Sequence, residues 1–271
     1  MTILGDINKQ LLGLTDQHIH YLPNKNLANE SLTASNAERS VQTSSKPQMG
    51  IHRQMATAFE ALRQSAKTAG IELKIASGFR SFERQLLIWN NKFIGKTAIK
   101  KANGETLAIS GLSDWKIIEA ILLYSALPGA SRHHWGCDID VYAPNLLARG
   151  ESLQLEPWEY QKSGPMEKLS TWLTKHAAEF GFYLPYDCYR GGVAEEPWHL
   201  SFAPLASQYQ ATFNIQALQQ CLMNSDIASK AVIIDNLTEI AKRYINNTCD
   251  LSLISIQPHQ KATTYNRKAH G

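Results

Sequence analysis

Two short stretches of this chain carry residue types that could do chemistry together. Ser131-Arg132-His133-His134-Trp135-Gly136-Cys137-Asp138-Ile139-Asp140 sets His133 and Asp140 seven positions apart across Gly136. Glu196-Pro197-Trp198-His199 follows about sixty residues later. A catalytic zinc ion takes three protein ligands and keeps a fourth position open for water. His133, Asp140 and His199 offer such a ligand set, and Glu196 is then free to handle protons.

The elements that must position these groups follow from their neighbours. Gly136 permits a tight turn after His133, so the chain can fold back toward a metal. Ile139, Val141 and Tyr142 read as a strand, which places Asp140 on a rigid element. Pro197 stiffens the link between Glu196 and His199 and points to an edge or irregular strand start, as befits a site rim. Trp198 reads as a pocket wall. His134 stands beside His133 and is the alternative ligand. The Cys137 thiol could bind zinc, but a small buried side chain is its simpler role. Glu195, next to Glu196, reads as exposed.

The arrangement Ser131-x-His133-x-x-Gly136-x-x-x-Asp140, followed by Glu196-Pro-Trp-His199, resembles the zinc D-Ala-D-Ala carboxypeptidases of the VanY type. These share a superfamily with lysostaphin-like peptidases and the hedgehog signalling domain. A third motif is present as Ser77-Gly78-Phe79-Arg80-Ser81, with Gln85 four residues on. The resemblance covers about residues 50–205, and its register selects His133 over His134 and Glu196 over Glu195. It implies an α+β fold, with a small antiparallel sheet carrying a zinc site and helices around it. It also implies Zn2+ as cofactor and hydrolysis of cell-wall stem peptides. In that reaction Glu196 serves as base, Arg80 steadies the carbonyl oxygen, and Gln85 and Ser131 hydrogen-bond the substrate. One departure is Asp138, where the family typically has Ala. On a strand it faces the same side as Asp140, and it bears on substrate choice.

Composition limits the partners. With 271 residues, 44% hydrophobic and 19% charged, the chain reads as an ordinary globular protein. A net charge of +3 is too small to argue for nucleic acid, and no apolar run is long enough to span a membrane. Peptidoglycan-derived peptides are the expected partners, and the oligomeric state is open. The start has no basic segment followed by an apolar one, and the four scattered cysteines read as thiols. Both point to the cytoplasm. There a D,D-carboxypeptidase would destroy wall precursors, so an L,D-carboxypeptidase acting on recycled tetrapeptides is the preferred reading. The alternatives are a D,D-carboxypeptidase or dipeptidase, a phage-type endopeptidase, and a non-catalytic zinc-binding module.

Four segments are expected: an N-terminal arm over 1–49, a zinc carboxypeptidase domain over 50–205, a helical extension over 206–258 and a flexible tail over 259–271. The arm includes a Ser- and Asn-rich loop at 28–48, preceded by His18 and His20 in ordinary packing or surface roles. Inside the domain, periodicity predicts a helix over 50–69 and a short strand leading to Ser77. Further helices are capped by Ser81 and by Ser113, the latter running to Leu127. Another opens at Pro165 and closes at Gly181. In the extension, helices are expected over 206–223 and 226–245.

Overall fold

Alternating apolar residues at 73–77, 138–142 and 199–202 build the sheet on which the rest is assembled. The structure, a computed structural model, describes residues 5–22 and 49–250. In chain order come α1 (Asp6–Leu11), β1 (Ile19–Tyr21), β2 (Gly50–His52), α2 (Ala56–Thr68), β3 (Lys74–Ser77), α3 (Phe82–Phe93) and α4 (Asp114–Leu122). They are followed by β4 (Asp138–Tyr142), α5 (Pro157–Tyr160), α6 (Glu167–His176), β5 (Phe182–Tyr183) and β6 (His199–Phe202). The C-terminal helices are α7 (Ala203–Thr212), α8 (Ile215–Met223), α9 (Lys230–Asp235) and α10 (Leu237–Ile240), which runs on into a π-helical turn over Ala241–Ile245. The main sheet has order β3-β4-β6-β5 and is antiparallel throughout, giving the expected α+β class.

Two hydrophobic cores flank this sheet and a cleft. The first gathers Leu62, Leu73, Ile139, Val141, Leu173 and Leu200 between the sheet, α2 and α6. The second gathers Trp89, Ile118, Ile121, Leu218, Leu222 and Ile240 from α3, α4 and the C-terminal helices. Each is large enough for burial to dominate its stability, at about 25 cal/mol per Å² of apolar area removed from water.

Several boundaries differ from the sequence reading. Residues 50–55 are a strand and a 3-10 turn ahead of α2, because Gly50–His52 pairs with Ile19–Tyr21. Over 5–22 the N-terminal segment is no extended arm. It forms α1 and β1, and Leu11 and Leu12 are buried. The helix capped by Ser113 ends at Leu122, five residues before Leu127. Pro165 lies two residues ahead of α6, whose line is closed at Gly181 by a left-handed φ of 82°. The helices after β6 are more numerous and shorter than expected, broken at residues 213–214 and 224–229. They do not trail from the domain: Leu205, Ala206 and Tyr209 belong to the first core, and Leu218 and Leu222 to the second. The loop at 28–48 and the tail at 259–271 lie outside the described residues.

Candidate metal centre and cleft

Strand register brings the histidines and the carboxylate together. Asp140 on β4 stands directly opposite His199 on β6, and opposite Ser77 on β3. His133 comes from a 3-10 turn over Arg132–Trp135 that ends at Gly136, where φ is 70°. A Cβ at Gly136 would lie 2.3 Å from Ile19 Cδ1, so both the backbone angle and the space call for glycine. The His133 ring is fixed by its own Nδ1–H, which donates to the Gly78 carbonyl at 3.0 Å. Gly78 can sit there only because it lacks a side chain: a Cβ would be 2.2 Å from the Gly50 carbonyl oxygen.

That hydrogen bond leaves His133 Nε2 facing the site, 3.4 Å from Asp140 Oδ2. His199 is set the other way round. Its Nε2–H donates to Asp138 Oδ1 at 3.1 Å, so Nδ1 faces the site, 3.6 Å from Asp140 Oδ1. The three donor atoms lie within 4.8 Å of one another. Tetrahedral ligands at ordinary zinc bond lengths sit about 3.3–3.6 Å apart. Asp140 Oδ1 is also buried without a hydrogen-bond partner, which is costly unless another species satisfies it. The donor set therefore fits zinc. Both ring tautomers are fixed by an acceptor behind the histidine, the arrangement that orients metal-binding imidazoles.

Electrostatics favours the same atoms. Burial opposes ionisation of Asp140, but the charges of His133, His199 and Arg80 outweigh it and hold the carboxyl below its usual range. Burial likewise opposes a charge on His199. Hydrogen bonds to Asp138 and Glu196 overcome this and push its pKa up to about 10 in the metal-free protein. Glu196 is raised by burial, against the pull of His199. Its Oε2 is 3.0 Å from His199 Nδ1. The Glu196 carbonyl accepts from the His199 backbone N–H at 3.0 Å, so Glu-Pro-Trp-His is a turn that leads into β6.

The profile of the VanY family, described as D-alanyl-D-alanine carboxypeptidase, matches residues 48–205. The chain belongs to the VanY family. It is 40% identical over 121 residues to an uncharacterized protein of Haemophilus influenzae, covering 44% of this chain and 92% of that one. It is 27% identical over 144 residues to a D-alanyl-D-alanine carboxypeptidase of Enterococcus faecalis, covering 52% of this chain and 44% of the relative. The chain thus spans less than half of that relative's length. Among solved structures, VanYB in complex with D-alanine-D-alanine aligns with a TM-score of 0.43 at 21% identity, over 73% of this chain and 96% of that one. The LdcB LD-carboxypeptidase aligns with a TM-score of 0.41 at 24% identity, over 65% and 68%.

The remaining VanY-motif residues surround a cleft of about 350 Å³ that contains the candidate metal-binding residues. Arg80, Ser131 and Trp198 line it together with His133, Asp140, Glu196 and His199. Arg80 follows β3, and Ser81 caps α3 by accepting from the Arg84 N–H. The Arg80 guanidinium donates to Gln85 Oε1 at 2.8 Å and to Ser77 Oγ at 2.9 Å. Gln85 is fully buried, and its Nε2 donates to the Ala126 carbonyl at 2.7 Å. Both ends of Gln85 are thus engaged inside the protein. It holds Arg80 rather than reaching the cleft, which corrects its reading as a substrate contact. Trp198 packs on Tyr160 at 5.5 Å between ring centroids. Both nitrogens of His134 are used: Nδ1–H donates to the Arg80 carbonyl and Nε2 accepts from the Gly129 N–H. His134 therefore turns away from the metal centre and braces the Arg80 backbone. Glu195 is exposed. The Cys137 Sγ is buried beside Asp138 at 3.4 Å and is outside the metal cluster.

The structure also brings in residues that the motifs did not single out. Arg132, buried, donates to Asp138 Oδ1 at 2.7 Å, to Tyr183 Oη at 2.7 Å and to Ser201 Oγ at 2.9 Å. Asp138 is thereby kept ionised despite its burial, with a pKa near 2, while it accepts from His199. Tyr186 meets the His199 ring edge-on at 5.1 Å and forms part of the cleft wall. The signal that could have found the first pair was the charge complementarity of Arg132 with Asp138 within one motif. No helix among the described residues is long and apolar enough to cross a membrane.

Proposed function

We propose that this protein is a zinc carboxypeptidase that removes the terminal D-Ala from peptidoglycan stem peptides. The observation that carries this reading is the convergence of His133, Asp140 and His199 with a non-ligand carboxylate, Glu196, in one cleft. His133 Nε2, an Asp140 oxygen and His199 Nδ1 would hold the ion. When bound, zinc supplies a Lewis acid for the scissile carbonyl and lowers the pKa of water at its open position toward about 7.

The chain's own residues do the rest. Glu196, its pKa raised by burial, takes the proton of the attacking water and delivers it to the leaving amine. Arg80 is aimed by Gln85 and Ser77. Its remaining N–H groups donate to the carbonyl oxygen as negative charge develops there, an interaction commonly worth about 3 kcal/mol of barrier. Ser131 Oγ, on the cleft wall, serves as a substrate hydrogen-bonding group. Trp198 backs the peptide and helps exclude water. A binding module would have no use for a carboxylate placed like Glu196, which favours the enzyme.

Within this class, an L,D-carboxypeptidase acting on tetrapeptides in the cytoplasm is the first reading. It is supported by the four unpaired cysteine thiols and by the loss of wall precursors that a cytoplasmic D,D-carboxypeptidase would cause. The family's description as D-alanyl-D-alanine carboxypeptidase favours the D,D reading as the second. The test is incubation of zinc-loaded protein with tetrapeptide and pentapeptide muropeptides, with products identified by mass. Faster release of D-Ala from tetrapeptide is expected. Far faster cleavage of pentapeptide replaces L,D by D,D, and cleavage of neither removes the carboxypeptidase reading.

A further inference from the structure

The cleft wall opposite the sheet holds a cation that the reaction above does not use. Lys92 lies on α3 two turns beyond Gln85, on the same helix face. Its ammonium donates to Ser125 Oγ at 2.6 Å, and both residues line the cleft of the metal centre. The segment after α4 braces both turns of α3, since Ala126 accepts from Gln85 and Ser125 from Lys92.

Lys92 differs from the other cleft lysines in its partner. Lys100 pairs with Glu156 at 3.1 Å and Lys101 with Glu105 at 2.7 Å. Among the described residues no carboxylate lies within ion-pair distance of Lys92. Its environment is partly desolvated: burial, and then the charge of Arg80, lower its pKa, while the carboxylate of Glu196 raises it. A desolvated cation with only a neutral partner is costly, and an incoming anion relieves that cost. Ser125 completes the arrangement. Its oxygen accepts from Lys92, so its own O–H stays free to donate. An ammonium N–H and a hydroxyl side by side match the two oxygens of a carboxylate.

We propose that Lys92 and Ser125 form a carboxylate subsite in the cleft and that it holds a carboxylate of the peptide substrate. The inference rests on reading the cleft as a peptidase site. The carboxylate could be the free C-terminus or a side chain of the stem peptide, and the experiment separates the two.

In the zinc-loaded full chain, Glu196→Gln slows turnover by about 10²–10⁴-fold, so affinity is measured by calorimetry before the peptide is consumed. Three tetrapeptides are compared: the free acid, the C-terminal amide, and the form whose side-chain carboxylates are amidated. Each is titrated into this protein and into the same protein with Lys92→Gln, Lys92→Arg or Ser125→Ala. With Lys92 present, one amidation is expected to weaken binding about tenfold to a hundredfold. In Lys92→Gln that acid-over-amide preference collapses toward unity, with zinc content and circular dichroism unchanged. Ser125→Ala reduces it in part, and Lys92→Arg restores most of it. Whichever amidation carries the effect names the source. Equal affinity for all three forms, no peptide binding, or a preference that persists in Lys92→Gln overturns the subsite. Failure of the unsubstituted protein to release D-Ala is a separate result. It overturns the peptidase reading and leaves the binding comparison standing.

Discussion

The sheet wall of the cleft holds Asp140 and His199 through backbone register, whereas the opposite wall holds its groups through side-chain hydrogen bonds. On the sheet side, Asp140 and His199 are paired across β4 and β6, and each ligand histidine is anchored by one further hydrogen bond, to Gly78 or Asp138. On the helical side, Arg80, just ahead of α3, is aimed by Gln85 and Ser77, and Lys92 on α3 is held by Ser125. A ladder-fixed group moves little without cost to the sheet. A long side chain on a helix keeps rotamer freedom unless its tip is tied. The sheet wall therefore suits metal geometry, which tolerates little displacement, and the helical wall suits groups that close on a substrate.

The sharpest way to break this contrast is to remove a ladder-fixed ligand. His199→Ala is expected to abolish zinc retention through desalting and turnover with it, as measured by metal analysis beside an activity assay. Full zinc retention would mean that the register does not define the centre. Glu196→Gln comes next: turnover falls by about 10²–10⁴-fold, while zinc content and melting temperature stay near those of the unsubstituted protein. Near-normal turnover in a folded, zinc-loaded variant would end the mechanism proposed above.

Asp138→Ala separates the two ways of holding a group within the sheet wall itself. Zinc affinity, followed by competition with a chelator, weakens about 10–100-fold, because His199 loses the acceptor that fixes its ring. Stability also falls by about 3–5 kcal/mol, since Arg132 is left buried without its carboxylate. Adding Arg132→Met should return stability but not zinc affinity. If both return together, Asp138 serves packing alone.

The smallest effect concerns pH. Burial lowers the pKa of His52 to about 4, with His18 and Arg53 adding to it. Folded His52 therefore binds its proton less readily than the unfolded chain, whose value lies near 6.5. Its contribution is complete above that value and is lost as pH falls from there toward 4. Melting temperatures recorded across this window should decline on acidification, and less steeply in His52→Gln. Identical slopes would remove His52 as a source of the decline.

The sequence by itself named the candidate metal-binding residues, through motifs whose members lie close together along the chain. His133, Gly136 and Asp140 lie within one turn and one strand, and Glu196 and His199 share a single turn, so each half is local, while the β4–β6 register joins the two halves. Tertiary structure decided the rest. The pairing of Arg132 and Asp138 needed the Arg132 side chain folded back over β4 and onto Ser201 of β6. That Gln85 turns inward depended on the Ala126 carbonyl, forty-one residues away. The place of the C-terminal helices in the second core depended on contacts with Trp89 and α4. Spacing reports which residues can share a face of one element. Which faces meet, and which polar groups are left facing a cleft without a partner, is set by long-range packing that no local pattern encodes.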